Sequence, residues 1–300
     1  VFYKSRTQAQ NWIAFDTERG QPSGYSGQAL LYPNANNPNQ NWSWITQFNN
    51  NGFSGDGQGS KNDSNNSYAS WTFRKSKKFF DIVTWTGDGT GSRTINHNLG
   101  SVPGMIIVKS YSNTDNWKVY HRGVDSSAPE DYALFLDGNS SRTNSNDYWN
   151  DTAPTSTQFT VSWSTNGNNQ TWIAYLFAHN DGDGEFGPDA DQDIIKCGSY
   201  TGNGSGTSGP SINLGFEPQW LMIKNASNSY NWIVVDVMRG FSAGPEANTL
   251  FFNSNVAEDP AGTRVQPTSN GFKIITSSFD YNRVNENFIY MAIRRGPLAV

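Results

Sequence analysis

Short apolar runs separated by polar, glycine-rich segments extend through the whole chain, and one arrangement of them occurs three times. In residues 103–123 an apolar run ends in Lys109, seven mostly polar residues follow, and Trp117 begins a second apolar run. Residues 218–240 repeat this order, and a third copy occupies residues 1–20. Because bulky or β-branched runs joined by turn-forming residues are typical of β-hairpins, each copy predicts a hairpin.

A constant interval separates the lysine from the tryptophan in the three copies. It is eight residues in each of the pairs Lys4 and Trp12, Lys109 and Trp117, and Lys224 and Trp232. A fixed loop length fixes the strand register, and an aromatic–aliphatic pair across two strands contributes roughly 0.2–1 kcal/mol. We therefore expect each tryptophan in, or at the rim of, the core of its own unit. Each lysine is interpreted as a solvated charge at a strand end, because lysines are rarely buried; contact with a ligand is the alternative.

Similar segments around the hairpins extend each copy to the size of a small domain. An aromatic-Thr-Gly-Asx-Gly segment precedes the hairpin at residues 85–89 and 200–204, and an apolar strand closes each unit. Lys109 and Lys224 are 115 residues apart, which is too long for a solenoid repeat. The predicted organisation is a truncated first unit at residues 1–78, a second unit at 79–179, an acidic linker loop at 180–193, and a third unit with a C-terminal linker at 194–300. Since the first copy lacks the aromatic-Thr-Gly segment, we expect these residues to be an internal piece of a longer chain.

Composition predicts an all-β protein. Charged residues make up 16% of the chain and aromatic residues 14%, and Asn, Ser, Thr and Gly are abundant, as in extracellular and virion β-proteins. No stretch shows the spacing of apolar positions expected of a long helix. We predict tandem antiparallel β-sandwich repeat domains, jelly-roll-like, with few or no helices. The sequence has one cysteine, Cys197, so an intrachain disulfide is excluded.

Charge and motif content argue against several function classes. The net charge is −5 and no basic stripe is evident, so we predict no nucleic-acid partner, which would need clustered Lys and Arg. No apolar run approaches the ~20 residues of a membrane span, and none is predicted. The histidines are scattered and no nucleophile or metalloprotease motif occurs, so we predict that the protein is not an enzyme. Asp16 and Asp236 each precede an arginine by three residues, which we interpret as structural pairing or turn capping.

One loop of the second unit has the composition of a carbohydrate-binding platform. Its residues Tyr148, Trp149, Asn150 and Asp151 place two aromatic rings beside an amide and a carboxylate. Aromatic rings offer stacking surfaces and the polar groups fix the orientation of a ligand, which is the chemistry that a glycan requires. Packing of the aromatic residues beneath the loop is the alternative interpretation.

The linker between the second and third units is strongly acidic. Six carboxylates fall within 13 residues, namely Asp181, Asp183, Glu185, Asp189, Asp191 and Asp193. Alternating acidic positions in an extended loop can present oxygen ligands to Ca²⁺ at about 2.3–2.6 Å, although the glycine and terminal glutamate of an EF-hand are missing. The alternatives are a bound Ca²⁺ ion and a solvated hinge whose charges repel one another. No other cofactor is predicted.

Seven segments together carry a resemblance to a known family: FDIVTWTGDG at residues 80–89, PGMIIVK at 103–109, WNDTAPTST at 149–157, IAYLFA at 173–178, DQDIIKCGSYTGNG at 191–204, LGFEPQWLMIK at 214–224 and NGFKI at 270–274. They resemble a repeat domain of unknown function that occurs in virion proteins of marine phages, especially those that infect cyanobacteria. The resemblance covers essentially the whole chain. It implies a location at the virion surface, outside the cell, and it brings no catalytic residues.

The function predicted from these observations is that of a phage virion structural protein, part of a tail fibre or surface appendage that contributes to host-surface attachment. The predicted partners are copies of the same chain, with a trimer favoured, other virion proteins, and a glycan of the host surface. Oligomerisation is expected because cores of about 110 residues would not absorb so much aromatic surface. A carbohydrate-binding adhesin or lectin module is the first alternative. An extracellular glycoside hydrolase is the second, although no carboxylate pair separated by about 5–9 Å can be proposed.

Overall fold

The fold was taken from a computed structural model of the chain. It describes residues 1–20, 29–41, 45–55, 61–244, 248–260, 262 and 264–296, without the side chains of residues 41, 45 and 46. Part of the predicted C-terminal linker, residues 297–300, lies outside the described residues.

The regular secondary structure of the described residues is almost entirely β, with two four-residue helices, α1 (Asn146–Trp149) and α2 (Phe279–Asn282). The strands are β1 (Phe2–Ser5), β2 (Ile13–Ala14), β3 (Ala29–Leu30), β4 (Gln40–Asn41), β5 (Ile45–Asn49), β6 (Gly52–Gly55), β7 (Tyr68–Trp71), β8 (Phe80–Thr86), β9 (Arg93–Asn96), β10 (Pro103–Ser110), β11 (Lys118–His121), β12 (Tyr132–Phe135), β13 (Thr143–Asn144), β14 (Gln158–Val161), β15 (Thr171–Ala178), β16 (Ile195–Thr201), β17 (Ser211–Asn213), β18 (Pro218–Asn225), β19 (Ile233–Asp236), β20 (Leu250–Phe251), β21 (Val265–Thr268), β22 (Gly271–Ile274) and β23 (Asn287–Arg294). The all-β prediction is confirmed. No helix among the described residues has the length and apolar character needed to cross a membrane.

Each predicted unit contributes one main antiparallel sheet with the same strand order. The sheet of the second unit runs β13-β12-β11-β10-β15-β8, that of the third runs β16-β23-β18-β19-β20, and that of the first runs β2-β1-β7. The predicted hairpins are the pairs β1–β2, β10–β11 and β18–β19. The repeated lysines occupy the same register opposite the closing strands, in the pairs Lys4 and Ala69, Lys109 and Ile173, and Lys224 and Ile289.

A small second sheet covers one face of each main sheet. These sheets are β5–β6 in the first unit, β9–β14 in the second, and β17-β22-β21 in the third. In the third unit Leu221 and Ile223 of the main sheet share an apolar cluster with Phe272 and Ile274 of the second sheet. Alternate residues of a strand point to opposite faces, so this cluster uses only one face of β18. The arrangement is the predicted sandwich.

The other face of each main sheet packs against the other two units. Phe2, Ile107 and Met222, each two positions before a repeated lysine, line one apolar void of about 10 Å³. The surrounding buried cluster contains residues of all three units. Every residue of β10 is buried because both faces of its sheet are covered, one by the second sheet and one by neighbouring units.

Candidate functional site

The repeated hairpin residues form the interfaces between units. Each hairpin tryptophan donates its indole N–H to a backbone oxygen of another unit, with donor–acceptor distances of 2.8 to 2.9 Å. The bonds join Trp12 to Phe251, Trp117 to Tyr32, and Trp232 to Phe135. The three environments are therefore equivalent, as the repeat predicts.

The placement of these tryptophans in the cores of their own units was wrong for the first and third units. Trp12 and Trp232 are fully buried in the cluster that the three units share, whereas the sandwich cores of those two units are separate clusters. The reason is that the face of the main sheet that carries the tryptophan packs on neighbouring units and not on the second sheet.

The repeated lysines are also buried between units. Each ammonium group contacts three backbone oxygens, two in its own hairpin and one in another unit. The inter-unit contacts are Lys4 to Asn255 at 3.2 Å, Lys109 to Asn36 at 3.3 Å and Lys224 to Asn139 at 3.2 Å. Three acceptors match the three N–H donors of an ammonium group. The interpretation of these lysines as solvated charges was therefore wrong, because their exposed fraction is 0%.

Burial lowers the pKa of the three repeated lysines. Removal from water lowers the pKa of Lys4 and of Lys109 to about 8, and that of Lys224 to about 7. The lowered pKa values reflect the cost of placing a charge where water cannot reach it. The three groups thus share the same environment and the same physical response.

Backbone hydrogen bonds reinforce the same interfaces. In each unit, the amide three residues after the asparagine whose carbonyl accepts from a repeated lysine donates to a hairpin carbonyl of another unit, at 2.8 to 2.9 Å. The three bonds run from Asn39 to Tyr111, from Arg142 to Ala226, and from Glu258 to Arg6. Each acceptor lies two residues after a repeated lysine.

A fourth set of contacts joins the position twelve residues after each lysine to the closing strand of another unit. Asp16 accepts from the Tyr175 hydroxyl at 2.7 Å, a His121 ring nitrogen lies 3.0 Å from the Tyr290 oxygen, and Asp236 accepts from the Trp71 indole at 3.2 Å. Together the four sets join unit one to two, two to three, and three to one. Head-to-tail interfaces that close in this way form a ring.

Two ion pairs hold the acidic members of this set in place. Asp16 pairs with Arg19 at 2.7 Å and Asp236 with Arg239 at 2.6 Å, and all four side chains are buried. Burial alone would raise the pKa of Asp16, but the charge of Arg19 and hydrogen bonds from Arg19 and Tyr175 hold it below its usual value. The predicted structural pairing of Asp with Arg is confirmed. In the second unit the same position is His121, where burial lowers the pKa to about 3 and keeps the ring neutral.

The predicted carbohydrate platform is not an exposed aromatic pair. Trp149 ends helix α1 and is only 2% exposed, and its indole donates to the Tyr132 oxygen at 3.0 Å. Asn150 and Asp151 follow it in left-handed backbone conformations, with φ of 52° and 46°. Trp149 therefore packs beneath the loop, which was the alternative interpretation. A ring enclosed in this way cannot stack on a ligand.

A polar and aromatic cleft of about 390 Å³ lies beside that loop. This aromatic cleft is lined by Tyr148 and Trp163 together with Asn113, Asp115, Lys118 and Gln170. Trp163 is 61% exposed, while Lys118 is buried and forms an ion pair with Asp115. The volume falls in the range of small-ligand sites, and convergent polar groups beside aromatic rings can bind a hydroxyl-rich ligand.

A rigid turn holds Trp163 at the cleft. Ser162 and Thr165 cap the 3-10 turn Trp163–Thr165 reciprocally, and the Thr165 hydroxyl donates to the Tyr148 oxygen at 2.7 Å. Trp163 also lies against Gly91, where an added Cβ would come within 2.5 Å of its ring. Sequence reasoning missed Trp163. The available signal was a tryptophan between capping residues in a turn directly after a strand.

The acidic loop does not gather its carboxylates around one point. Asp181 pairs with Lys196 at 3.2 Å, Glu185 with Lys78 at 3.0 Å, and Asp193 accepts from the amides of Gly182 and Gly184. Within the part of the chain that the structure describes, no three His, Cys, Asp or Glu residues are placed to hold a metal ion. Calcium binding by Asp181, Asp183, Glu185, Asp189, Asp191 and Asp193 stays a prediction to which this geometry adds no support.

Comparison with known proteins identifies the family to which the chain is matched. Residues 1–297 match the family described as Domain of unknown function (DUF7483). Among solved structures, one titled "Crystal Structure of the STIV MCP" is similar at a TM-score of 0.19 and 9% sequence identity, covering 72% of this chain and 95% of that chain. A similarity at that TM-score carries no argument. No curated protein matches the chain.

Proposed function

The chain belongs to the DUF7483 family, and we propose that it is a structural protein of a phage virion, part of a tail fibre or surface appendage. The observation that carries the proposal is the closed ring of three β-sandwich units within one chain. The resemblance of its repeats to phage virion domains supports the same role. We place the protein at the virion surface.

The ring offers a physical basis for mechanical rigidity. Each unit is joined to both others by an indole N–H, a buried ammonium group and a backbone amide. Rotation of one unit would break its bonds to both other units and expose apolar faces, and an unpaired buried polar group costs about 1–3 kcal/mol. A body that resists such rotation without disulfides suits a load-bearing part of a particle.

The ring also changes the argument for oligomerisation. Much of the aromatic surface that was assigned to contacts between subunits lies between units of one chain, including Trp12, Trp117 and Trp232. A homo-oligomer, for which we propose a trimer, would therefore use other surfaces. Other virion proteins are the further proposed partners.

An antibody against this chain tests the proposal by electron microscopy of intact phage particles that encode it. We expect labelling of fibres or appendages at the particle surface. Labelling confined to host cells, with bare particles, contradicts a virion role. The control is pre-absorption of the antibody with the purified chain, which must abolish the labelling.

Carbohydrate binding is a second candidate function, favoured by the aromatic cleft. Tyr148 and Trp163 flank it, and the capped turn fixes Trp163 before any ligand arrives. Preorganised side chains lose less entropy on binding. A glycan of the host surface is the ligand class that we propose.

A glycan array with matched variants tests this second function. Trp163→Ala should lower the affinity for any bound glycan at least tenfold, which corresponds to about 1.4 kcal/mol. Phe279→Ala is the control, because Phe279 is 58% exposed and does not line the cleft. Equal binding by both variants, or no glycan bound by the parent chain, contradicts the proposal.

A further inference from the structure

The aromatic cleft of the second unit has a counterpart in the third unit, and backbone hydrogen bonds fix the correspondence. In the second unit the Gln170 amide donates to the Gly167 oxygen at 3.1 Å. In the third unit the Glu286 amide donates to the Arg283 oxygen at 3.3 Å. Each donor lies three residues before the strand residue that faces a repeated lysine. Two residues that line the cleft, Gly167 and Gln170, therefore correspond to Arg283 and Glu286.

The exposed aromatic rings of the two units correspond in the same way. Trp163 lies four residues before Gly167, and Phe279 lies four residues before Arg283. Each of the two aromatic residues begins a short helical turn and is exposed. In the third unit the guanidinium carbon of Arg283 lies 5.1 Å from the centroid of the Phe279 ring. A flat group that carries N–H donors thus lies over the ring that corresponds to Trp163.

Polar groups hold the Arg283 side chain on that ring. Its Nη1 donates to the Tyr230 hydroxyl at 3.1 Å, and its Nε pairs with Glu286 at 3.2 Å. Glu286 in turn accepts from the side-chain amides of Asn225 and Asn228, at 2.5 and 3.1 Å. The third unit therefore fills the space over its exposed aromatic ring with a side chain of its own.

The second unit has smaller or neutral residues at these positions. Gly167 has no side chain that could lie over Trp163. Ser110 is in the position of Asn225, and Gln170 has a neutral amide where the third unit has a carboxylate. The cleft of about 390 Å³ is what these changes leave open. A ligand from outside the chain can therefore take the place of the guanidinium.

Two buried polar groups at this end of the sheet have no hydrogen-bond partner among the described residues. One is the indole N–H of Trp172, which lines the cleft. The other is the hydroxyl of Ser110, which lies opposite Trp172 in the sheet. The third unit has Phe288 in the position of Trp172 and a fully bonded Asn225 in that of Ser110. Unpaired buried groups reduce stability, and such departures from a well-paired core are typical of functional sites.

The charges of the cleft indicate which flat group it suits. In the third unit Glu286 balances the charge of Arg283, but Gln170 is neutral. Among the described residues that line the cleft, the one carboxylate is that of Asp115, and it is already paired with Lys118. Removing a cation from water without a counter-ion is costly. A neutral amide keeps the flat face and the N–H donor without that cost.

We propose that the aromatic cleft binds an N-acetylated sugar, whose acetamido group lies over the Trp163 ring as the guanidinium of Arg283 lies over its own. The acetamido N–H would donate toward Asp115, which occupies the position of Tyr230. The acetamido methyl group would pack on the indole, which offers an apolar face. This inference rests on the carbohydrate-binding function proposed above and names the ligand class.

Titration calorimetry with the methyl glycosides of N-acetylglucosamine and glucose tests the proposal, since these sugars differ in the acetamido group alone. We expect the acetamido sugar to bind at least tenfold more tightly, and Trp163→Ala to lose this preference. Phe279→Ala is the control and should keep it. In saturation-transfer NMR the acetamido methyl protons should receive the largest transfer from the protein.

The outcomes separate this inference from the carbohydrate-binding function itself. Equal affinity for the two sugars overturns the acetamido inference and leaves carbohydrate binding standing. Binding of neither sugar also overturns it, and the glycan array then decides carbohydrate binding independently. Preferential binding of arginine methyl ester would show that the cleft selects a cation, as the third unit does, and would likewise overturn the proposal.

A variant that copies the third unit tests the correspondence. Gly167→Arg combined with Gln170→Glu should place a guanidinium of the chain itself in the cleft. An added Cβ at Gly167 would come within 2.7 Å of the end of the Gln170 side chain, which is flexible and can move. We expect at least a tenfold loss of affinity for the acetamido sugar, with a urea midpoint no lower than that of the parent. Unchanged affinity in the folded variant contradicts the proposal, and Trp163→Ala, at an exposed position, provides the test if the double variant does not fold.

Discussion

The indole Nε1 of Trp12 lies 2.8 Å from the backbone oxygen of Phe251, 239 positions further along the chain. This bond joins the first unit to the third. The same bond joins the second unit to the first and the third to the second. A linear string of domains would leave its two end units apart, so this contact is what closes the ring.

Loss of one indole donor should weaken the ring measurably. Trp117→Phe keeps an aromatic side chain, but it leaves a small cavity and removes the N–H that the Tyr32 and Ala35 oxygens accept at 2.9 and 3.1 Å. We expect the free energy of unfolding to fall by about 1–3 kcal/mol, through the lost hydrogen bond and the unpaired carbonyl. Urea denaturation measures it. The exposed Trp163→Phe is the control and should change the value by less than about 0.5 kcal/mol. Equal effects of the two substitutions would mean that the indole bond is not structural.

The buried lysines should make stability depend on pH above neutrality. The pKa of Lys109 is about 8 in the folded chain and about 10.4 when unfolded. Between these values the unfolded chain binds more protons than the folded chain, so the free energy of unfolding rises with pH. We expect this rise between about pH 8 and 9.5, below the range in which unfolded tyrosines ionise.

Lys109→Met isolates the contribution of one lysine to this pH dependence. The variant should be less stable overall, because carbonyl acceptors lose their donor, but its stability should rise less steeply with pH. Lys77→Met, at an exposed position, should keep the parent slope. Denaturation midpoints at four pH values measure both. A parent stability that stays flat over this range would contradict the burial of the three lysines.

The pair of Asp16 and Arg19 should be costly to break. Asp16→Asn leaves the buried guanidinium without a carboxylate to balance its charge, and we expect a loss of about 3–5 kcal/mol. The double variant Asp16→His with Arg19→Val copies the residues His121 and Val124 of the second unit. It should lose less stability than Asp16→Asn alone, because no buried charge is left unpaired. Thermal denaturation compares the two, and the reverse order would show that the units are not equivalent at this position.

The hairpins and the repeat could be predicted from the sequence because they are local features. The seven residues between Lys4 and Trp12 fix a loop length, and alternating apolar residues identify the strands of each sheet. The ring could not be predicted in this way. An apolar face looks the same in sequence whether it packs on a second sheet or on another unit, so Trp12 and Trp232 were assigned to the wrong core.

The surroundings of the lysines and of the cleft depend on contacts distant in sequence. The buried Lys109 ammonium group donates to the backbone carbonyl of Asn36 in another unit. Nothing near Lys109 in the sequence indicates this contact. The loop at Tyr148 was recognised as aromatic, but which ring would face solvent depended on packing. The structure buries Trp149 and exposes Trp163, which comes from a different turn.

Differential scanning calorimetry of the 300-residue chain tests the closed ring most directly. Because each unit completes its interfaces only with both others, we predict one cooperative transition whose calorimetric and van't Hoff enthalpies agree. Two or three separate transitions, with a calorimetric enthalpy well above the van't Hoff value, would show units that unfold independently and would contradict the ring.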